Sequence, residues 1–203
     1  MANFLYKNDL PDDLELGNSI AIDTETMGLK TIRDRLCLVQ ISSGDGNAHL
    51  VQFEKGNYFA PNLKKLLLNP EVLKIFHFAR FDLLALGRNL GIEINNIYCT
   101  KIASKLARTY TDAHGLKAIA DELLGIELSK KQQSSDWGND FISEDQIKYA
   151  ASDVLYLHQI KEKLDLILRR EDRDKIAKRC FEFLPTRAVL DLNGFEEEDI
   201  FRH

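Results

Sequence analysis

Cysteine, proline and tryptophan are scarce in this chain: three, four and one among 203 residues. Cys37, Cys99 and Cys180 are odd in number, far apart and in no C-x-x-C arrangement, which argues against a disulfide framework or a zinc knuckle and suits a reducing cytoplasm. No run approaches the roughly 18–20 apolar residues of a membrane span. The opening MANFLYKNDL has no basic start followed by an apolar stretch, so a soluble, non-exported, cytoplasmic protein is expected. An excess of positive charge is also missing. With a net charge of -5, non-specific binding of long nucleic acid, which rests on many Lys and Arg contacts to phosphate, is disfavoured. A small anionic substrate held by a few groups and a metal remains compatible. No repeat, low-complexity tract or Pro/Gly-rich linker divides the chain, and its length suits one well-filled core with a terminal appendage.

Apolar spacing predicts a strand over residues 19–25, then two more over 36–42 and 48–53, joined by the turn-forming Gly44-Asp45-Gly46-Asn47. A helix over 62–68, a strand over 72–77, a helix over 80–90 closed by Gly91, a short strand over 97–100 and a helix over 116–124 followed by Gly125 come next. Ser143-Glu144-Asp145-Gln146 has the form of a capping box, opening a long helix towards Arg169, with mixed-charge helix continuing to about Leu184. Strands first, then helices mixed with strands, indicate an α/β domain with a mixed sheet.

Four carboxylates stand out. Asp23 and Glu25 are two apart on the first strand and share a face. Asp82 in HFARFDLLAL and Asp153 in YAASDVLYL sit among apolar residues, a costly setting unless the charge is paired or binds a cation. A helix cap or an ion pair would explain any one of them. Together they form a set of hard oxygen ligands suited to Mg²⁺ or Mn²⁺. Tyr149, four residues before Asp153, lies on the same helix face. A phenol of pKa about 10 is a poor base at neutral pH, but it can orient a water that a metal has acidified; the other reading is a core tyrosine.

DTE on a strand, the Asp of HFARFD and Y-x-x-x-D on a late helix resemble the three motifs of the DEDD 3′-to-5′ exonucleases, in the subgroup that carries Tyr. DTETMGLKTIRDRLCLVQISSGDGNAHLVQF, CTKIASKLARTYTDAHGLKAIADELLG, QQSSDWG and FLPTRAVLDL resemble the nano-RNase C family, compact relatives of RNase D. The likeness implies a ribonuclease H-like (DnaQ-like) fold over residues 1–184 and a tail, 185–203, docked on the domain or on a neighbouring subunit. It implies two divalent ions, Mg²⁺ or Mn²⁺, held by Asp23, Glu25, Asp82 and Asp153, with Tyr149 positioning the attacking water. The implied substrate is very short RNA, dinucleotides above all, cut from the 3′ end to 5′-mononucleotides by a ring-shaped homo-octamer.

Candidate substrate contacts surround these groups. Thr24, Met27, Gly28 and Leu29 flank the strand carboxylates; Gly28 allows close backbone approach, and Leu29 is either a wedge between bases or a core residue. His77 reaches sugar or phosphate, or satisfies a core hydrogen bond. Phe78 and Trp137 stack on bases or serve as packing anchors. Lys130 and Lys131 contact a 5′ phosphate or are merely solvated, and Arg33 and Arg35 are placed at subunit contacts. The apolar residues of FLPTRAVLDLNGFEEEDIFRH show no clear helical period, which suggests docking. Two rival readings are a broader exonuclease on longer RNA or single-stranded DNA, and a non-catalytic module that binds short nucleotides.

Overall fold

The computed structural model describes residues 2–30, 33–129 and 131–202. Six strands form one mixed sheet in the order β1-β4-β3-β2-β5-β6. They are β1 (Asn3–Lys7), β2 (Ser19–Thr26), β3 (Leu36–Ser42), β4 (Ala48–Gln52), β5 (Leu73–Phe76) and β6 (Ile97–Cys99). β2, β3 and β4 pair antiparallel, while β1 on β4, β5 on β2 and β6 on β5 pair parallel. The helices are α1 (Pro61–Leu68), α2 (Ala79–Leu90), α3 (Thr100–Ala107), α4 (Leu116–Leu124), α5 (Glu144–Leu155), α6 (Leu157–Arg170) and α7 (Asp174–Leu192).

β3 is buried throughout and β2 nearly so, because both faces of the sheet's centre are covered. Helix α5 lies across β1 to β4, while α2 packs on α7 and against β2, β5 and β6. Gly91 and Gly125 end α2 and α4 in left-handed conformations, φ 68° in each. Ser143 caps α5 in a full capping box with Gln146, worth about 1 kcal/mol.

Four sequence expectations need correction. The helix opened at Ser143 does not run unbroken; the chain breaks it at Tyr156, ψ -3°, into α5 and α6. A straight helix of that combined length would span about 40 Å at 1.5 Å per residue, the width of the domain or more. β1 and α3 were not anticipated. Lastly, the boundary after residue 184 falls inside α7, which carries Pro185 in its interior and ends only at Leu192. Its C-terminal end is docked on the domain by the buried Asp191, which accepts from Arg80 Nε at 2.5 Å, Arg80 Nη2 at 2.8 Å and Arg187 Nη2 at 2.6 Å. The same guanidiniums hold the Glu196 carbonyl, so the first residues of the tail are tied to the start of α2.

Candidate active site

Period-two geometry puts Asp23 and Glu25 on one face of β2 and Thr24 on the other. The ladder between β2 and β3 shifts register between Glu25 and Thr26, an irregularity of the kind that re-aims side chains at the end of a strand. Opposite this strand end, α5 presents Asp153. Carboxylate oxygens of Asp23, Glu25 and Asp153 all lie within 4.8 Å of one another.

Asp82 borders this cluster without joining it. Its carboxyl accepts a 2.7 Å hydrogen bond from the Thr24 hydroxyl. Thr24, expected among the substrate contacts, is buried, and its hydroxyl is engaged by Asp82. Asp82 comes so close because β5 ends at Phe76 and α2 begins at Ala79. Phe78 makes that sharp turn in the left-handed region at φ 70°. For a non-glycine residue this costs on the order of 1 kcal/mol and is characteristic of functional sites.

The charge is unbalanced. Burial pushes Asp23 up to about 7. Burial first, then the charges of Asp23, Asp153 and Asp82, push Glu25 up to about 10. Asp82 and Asp153 are likewise raised well above the ordinary carboxyl range, by burial and then by Asp23. Among the described residues, none of the charges shifting these four is a cation. Hard oxygen donors packed together with no positive partner among the described residues fit a divalent ion better than structural ion pairs. Tyr149 lies beside Asp153, and burial together with that carboxylate lifts its phenol above the ordinary value. It stays protonated at neutral pH and acts as a hydrogen-bond donor.

Around this centre the structure sorts the remaining candidates. Leu29 is 88% exposed and Met27 half exposed, so the core reading of Leu29 is excluded. At Gly28 a Cβ would stand 2.5 Å from Asp34 Oδ2, so the glycine also leaves room for that side chain. That carboxylate accepts from the Lys30 amide and pairs with Arg33, closing the loop on itself. His77 Nδ1 lies 2.9 Å from the Thr100 hydroxyl, and burial, helped by Lys101, pushes its pKa down to about 3, so the ring is neutral. Phe78 is exposed, with Lys101 Nζ 4.0 Å from its ring centroid.

Trp137 is a packing anchor and no stacking platform: it is 3% exposed, its ring 6.1 Å from that of Tyr149. Arg35, expected at a subunit contact, braces the same loop within the chain by donating to the Gly138 carbonyl at 2.9 Å and the Phe53 carbonyl at 3.2 Å. Lys130 lies outside the described residues, and Lys131 is exposed. Sequence reasoning missed Thr100 and Asp191. Asp191 carries the same signal that exposed Asp82 and Asp153, a carboxylate within an apolar stretch, here AVLDL.

An Asp-x-Glu pair on a central strand, an Asp from each of two helices and a tyrosine one turn before the second thus come together at one end of β2, a donor set that suits a divalent ion. Residues 7–169 match the family model described as 3′-5′ exonuclease, and the chain belongs to that family. Ribonuclease D from Acidiphilium cryptum is 33% identical over 81% of this chain and 41% of its own length. DNA polymerase I from Aquifex aeolicus is 35% identical over 89% of this chain and 29% of its own length. The chain thus spans about two fifths of the length of the ribonuclease D relatives. Among solved structures, Brucella melitensis NrnC bound to pGG is 54% identical with a TM-score of 0.97, covering 100% of this chain and 99% of that one. The same protein with bound Mg²⁺ is 53% identical at a TM-score of 0.96, with both chains covered in full. Escherichia coli RNase D is similar over 84% of this chain and 45% of its own, with 25% identity and a TM-score of 0.73. The chain is therefore RNase D-like, with end-to-end likeness to NrnC.

Proposed function

We propose that the protein is a 3′-5′ exoribonuclease acting on very short RNA, preferentially dinucleotides, and releasing 5′-mononucleotides. The observation that carries the exonuclease reading is the uncompensated meeting of Asp23, Glu25 and Asp153 at the end of β2, with Asp82 beside it. The short-substrate reading is supported by the end-to-end likeness to NrnC, a protein solved with pGG bound. Ribonuclease D is matched over only part of its length. Self-association into an octamer and a cytoplasmic location belong to this reading. Among the described residues no helix is long and apolar enough to cross a membrane.

Asp23, Glu25 and Asp153, with Asp82 beside them, would hold two divalent ions. Such ions, when bound, neutralise charge on the phosphate and acidify water at the site. The chain's own residues do the rest. Thr24 holds Asp82 in place. The protonated Tyr149 donates a hydrogen bond that orients the attacking water, and the exposed Leu29 separates the two bases as a wedge. Phe78, stiffened by Lys101, offers a face to one base, and the neutral His77 stands as a hydrogen-bonding group for the sugar.

Tyr149→Phe is expected to lower kcat about 10²-fold, the cost of one preorganised donor. The concentration of Mg²⁺ needed for half-maximal rate should not change, because the ligands remain. A steady-state comparison across Mg²⁺ concentrations checks this, and a variant as fast as the wild type would remove Tyr149 from the mechanism.

The function is tested with a trinucleotide RNA carrying either a free or a blocked 3′ end, in Mn²⁺ and in chelator. The expected result is sequential release of 5′-mononucleotides from the free 3′ end only, and none in chelator. Cleavage of the blocked strand would contradict the polarity. Tight binding in chelator with no product in Mn²⁺ would favour the non-catalytic module.

A further inference from the structure

Gln40 sits in the middle of β3, has no exposed surface, and neither its amide nitrogen nor its carbonyl oxygen makes a hydrogen bond among the described residues. Most buried side-chain polar atoms are satisfied, and leaving one unpaired costs on the order of 1–3 kcal/mol. Two such atoms on one side chain, in the most buried strand of the sheet, are a standing expense that an apolar residue would avoid. Core packing alone does not account for a glutamine there.

The register shows what it faces. Gln40 pairs directly with Asp23, and Leu38 with Glu25. Residues directly opposite in an antiparallel ladder share a face, with Cβ atoms about 4.5–5.5 Å apart. Gln40 therefore lies on the side of the sheet that carries the carboxylate cluster, beneath α5. On the other flank its partner on β4 is Leu50, which is apolar. The buried residues of α5 in the stretch above include Ala150, Ala151 and Val154, which offer no side-chain partner. Gln52, the other amide on this face, is already engaged by Lys7 Nζ at 2.6 Å and by the carbonyls of Asn139 and Asp140. The polar side chains of β2 in reach are Asp23, directly across, and Glu25, on the diagonal.

We propose that Gln40 is a positioning residue of the metal site: once the site is loaded its amide donates, directly or across one water, to an Asp23 carboxylate oxygen, and so holds Asp23 in its ligating orientation. A carboxylate ligand presents one oxygen to the metal and leaves the other to be fixed by an outer partner; such partners commonly govern affinity by 10- to 100-fold. A donor prepaid in the floor of the sheet would keep Asp23 from rotating away from the cluster. The inference rests on the metal-dependent reading of the site.

Gln40→Met removes the amide while keeping an unbranched chain of similar length. Binding of Mn²⁺ to the full chain, measured by isothermal titration with no substrate present, should weaken about tenfold or more. The thermal midpoint in chelator should stay the same or rise, since two unpaired polar atoms are removed. Gln40→Asn keeps the amide but shortens its reach; it should also weaken Mn²⁺ binding, and it stands in if Gln40→Met does not fold. Wild-type Mn²⁺ affinity in the folded variant, whether its midpoint moves or not, would overturn the proposal. A wild-type chain that binds no Mn²⁺ would instead overturn the metal assignment, and the role of Gln40 with it.

Discussion

Asp23→Asn should abolish cleavage and at the same time make the metal-free protein more stable. Asp23 belongs to the three-carboxylate cluster and touches the electrostatics of the other three acids. Removing its charge forfeits several kcal/mol of metal-derived stabilisation of the reaction, at least about 10³-fold at 1.4 kcal/mol per tenfold. In chelator the same substitution deletes the group whose charge raises Glu25, Asp82 and Asp153, and amide replaces carboxylate at nearly constant volume. The thermal midpoint in chelator at pH 8 should therefore rise by several degrees. Mn²⁺ should raise the wild-type midpoint and leave that of the variant little changed. Asp153→Asn should behave alike. A variant that keeps appreciable activity, or that is destabilised in chelator, would mean that the cluster has been wrongly assigned.

The second large effect is a pH dependence that runs opposite to ordinary acid denaturation. In the folded, metal-free chain Asp23 titrates at about 7 and Glu25 at about 10, against ordinary values of 3.8 and 4.5. Between those limits the native state retains protons that the unfolded chain has released. Stability then falls as pH rises, because its slope follows protons bound by the unfolded state minus protons bound by the native state. Below about pH 4 both states are protonated and the penalty vanishes. The midpoint in chelator is expected to decline steadily from about pH 5 to about pH 9, and saturating Mg²⁺ should flatten or reverse the decline, since binding requires the deprotonated ligands. Melting curves across that range, with and without the ion, decide it; a midpoint that climbs with pH in chelator would contradict the unbalanced cluster.

Much of this architecture was legible because its signals are local. The alternation around Ile20 and Ile22, the glycine-rich turn at 44–47, the glycines after α2 and α4 and the Ser143 capping box each carry a backbone requirement that a short window reveals. The mixed sheet followed from the order of elements. What escaped depends on neighbours distant in sequence. β1 is largely exposed, and its pairing to β4 spans more than forty residues, so it shows no buried run. Helix α3 is only eight residues long, a short window for its apolar face to stand out. The break at Tyr156 has neither proline nor glycine to mark it.

The site divides the same way. Carboxylates on a strand and within apolar helices announce themselves by their cost, and the structure brings three of them together with the fourth at their border. That rule identifies expensive charges but not how each is satisfied: Asp191 meets two arginines, whereas Asp153 meets other acids. Trp137 and Gly28 illustrate a second limit. A tryptophan in a polar stretch reads equally as platform or anchor until its burial is known, and a glycine beside two strand carboxylates reads as room for substrate, with no sign in the sequence that Asp34 packs against it.

The central claim, that this is an exoribonuclease for the shortest RNAs, is tested most directly by initial rates on 5′-phosphorylated RNAs of two to about seven nucleotides, with Mg²⁺ or Mn²⁺ at saturation. The result expected is a sharp maximum at the dinucleotide that collapses when the exposed Leu29, the proposed wedge, is replaced by alanine. Rates that stay flat or rise with length would contradict it and identify a general 3′-5′ exonuclease.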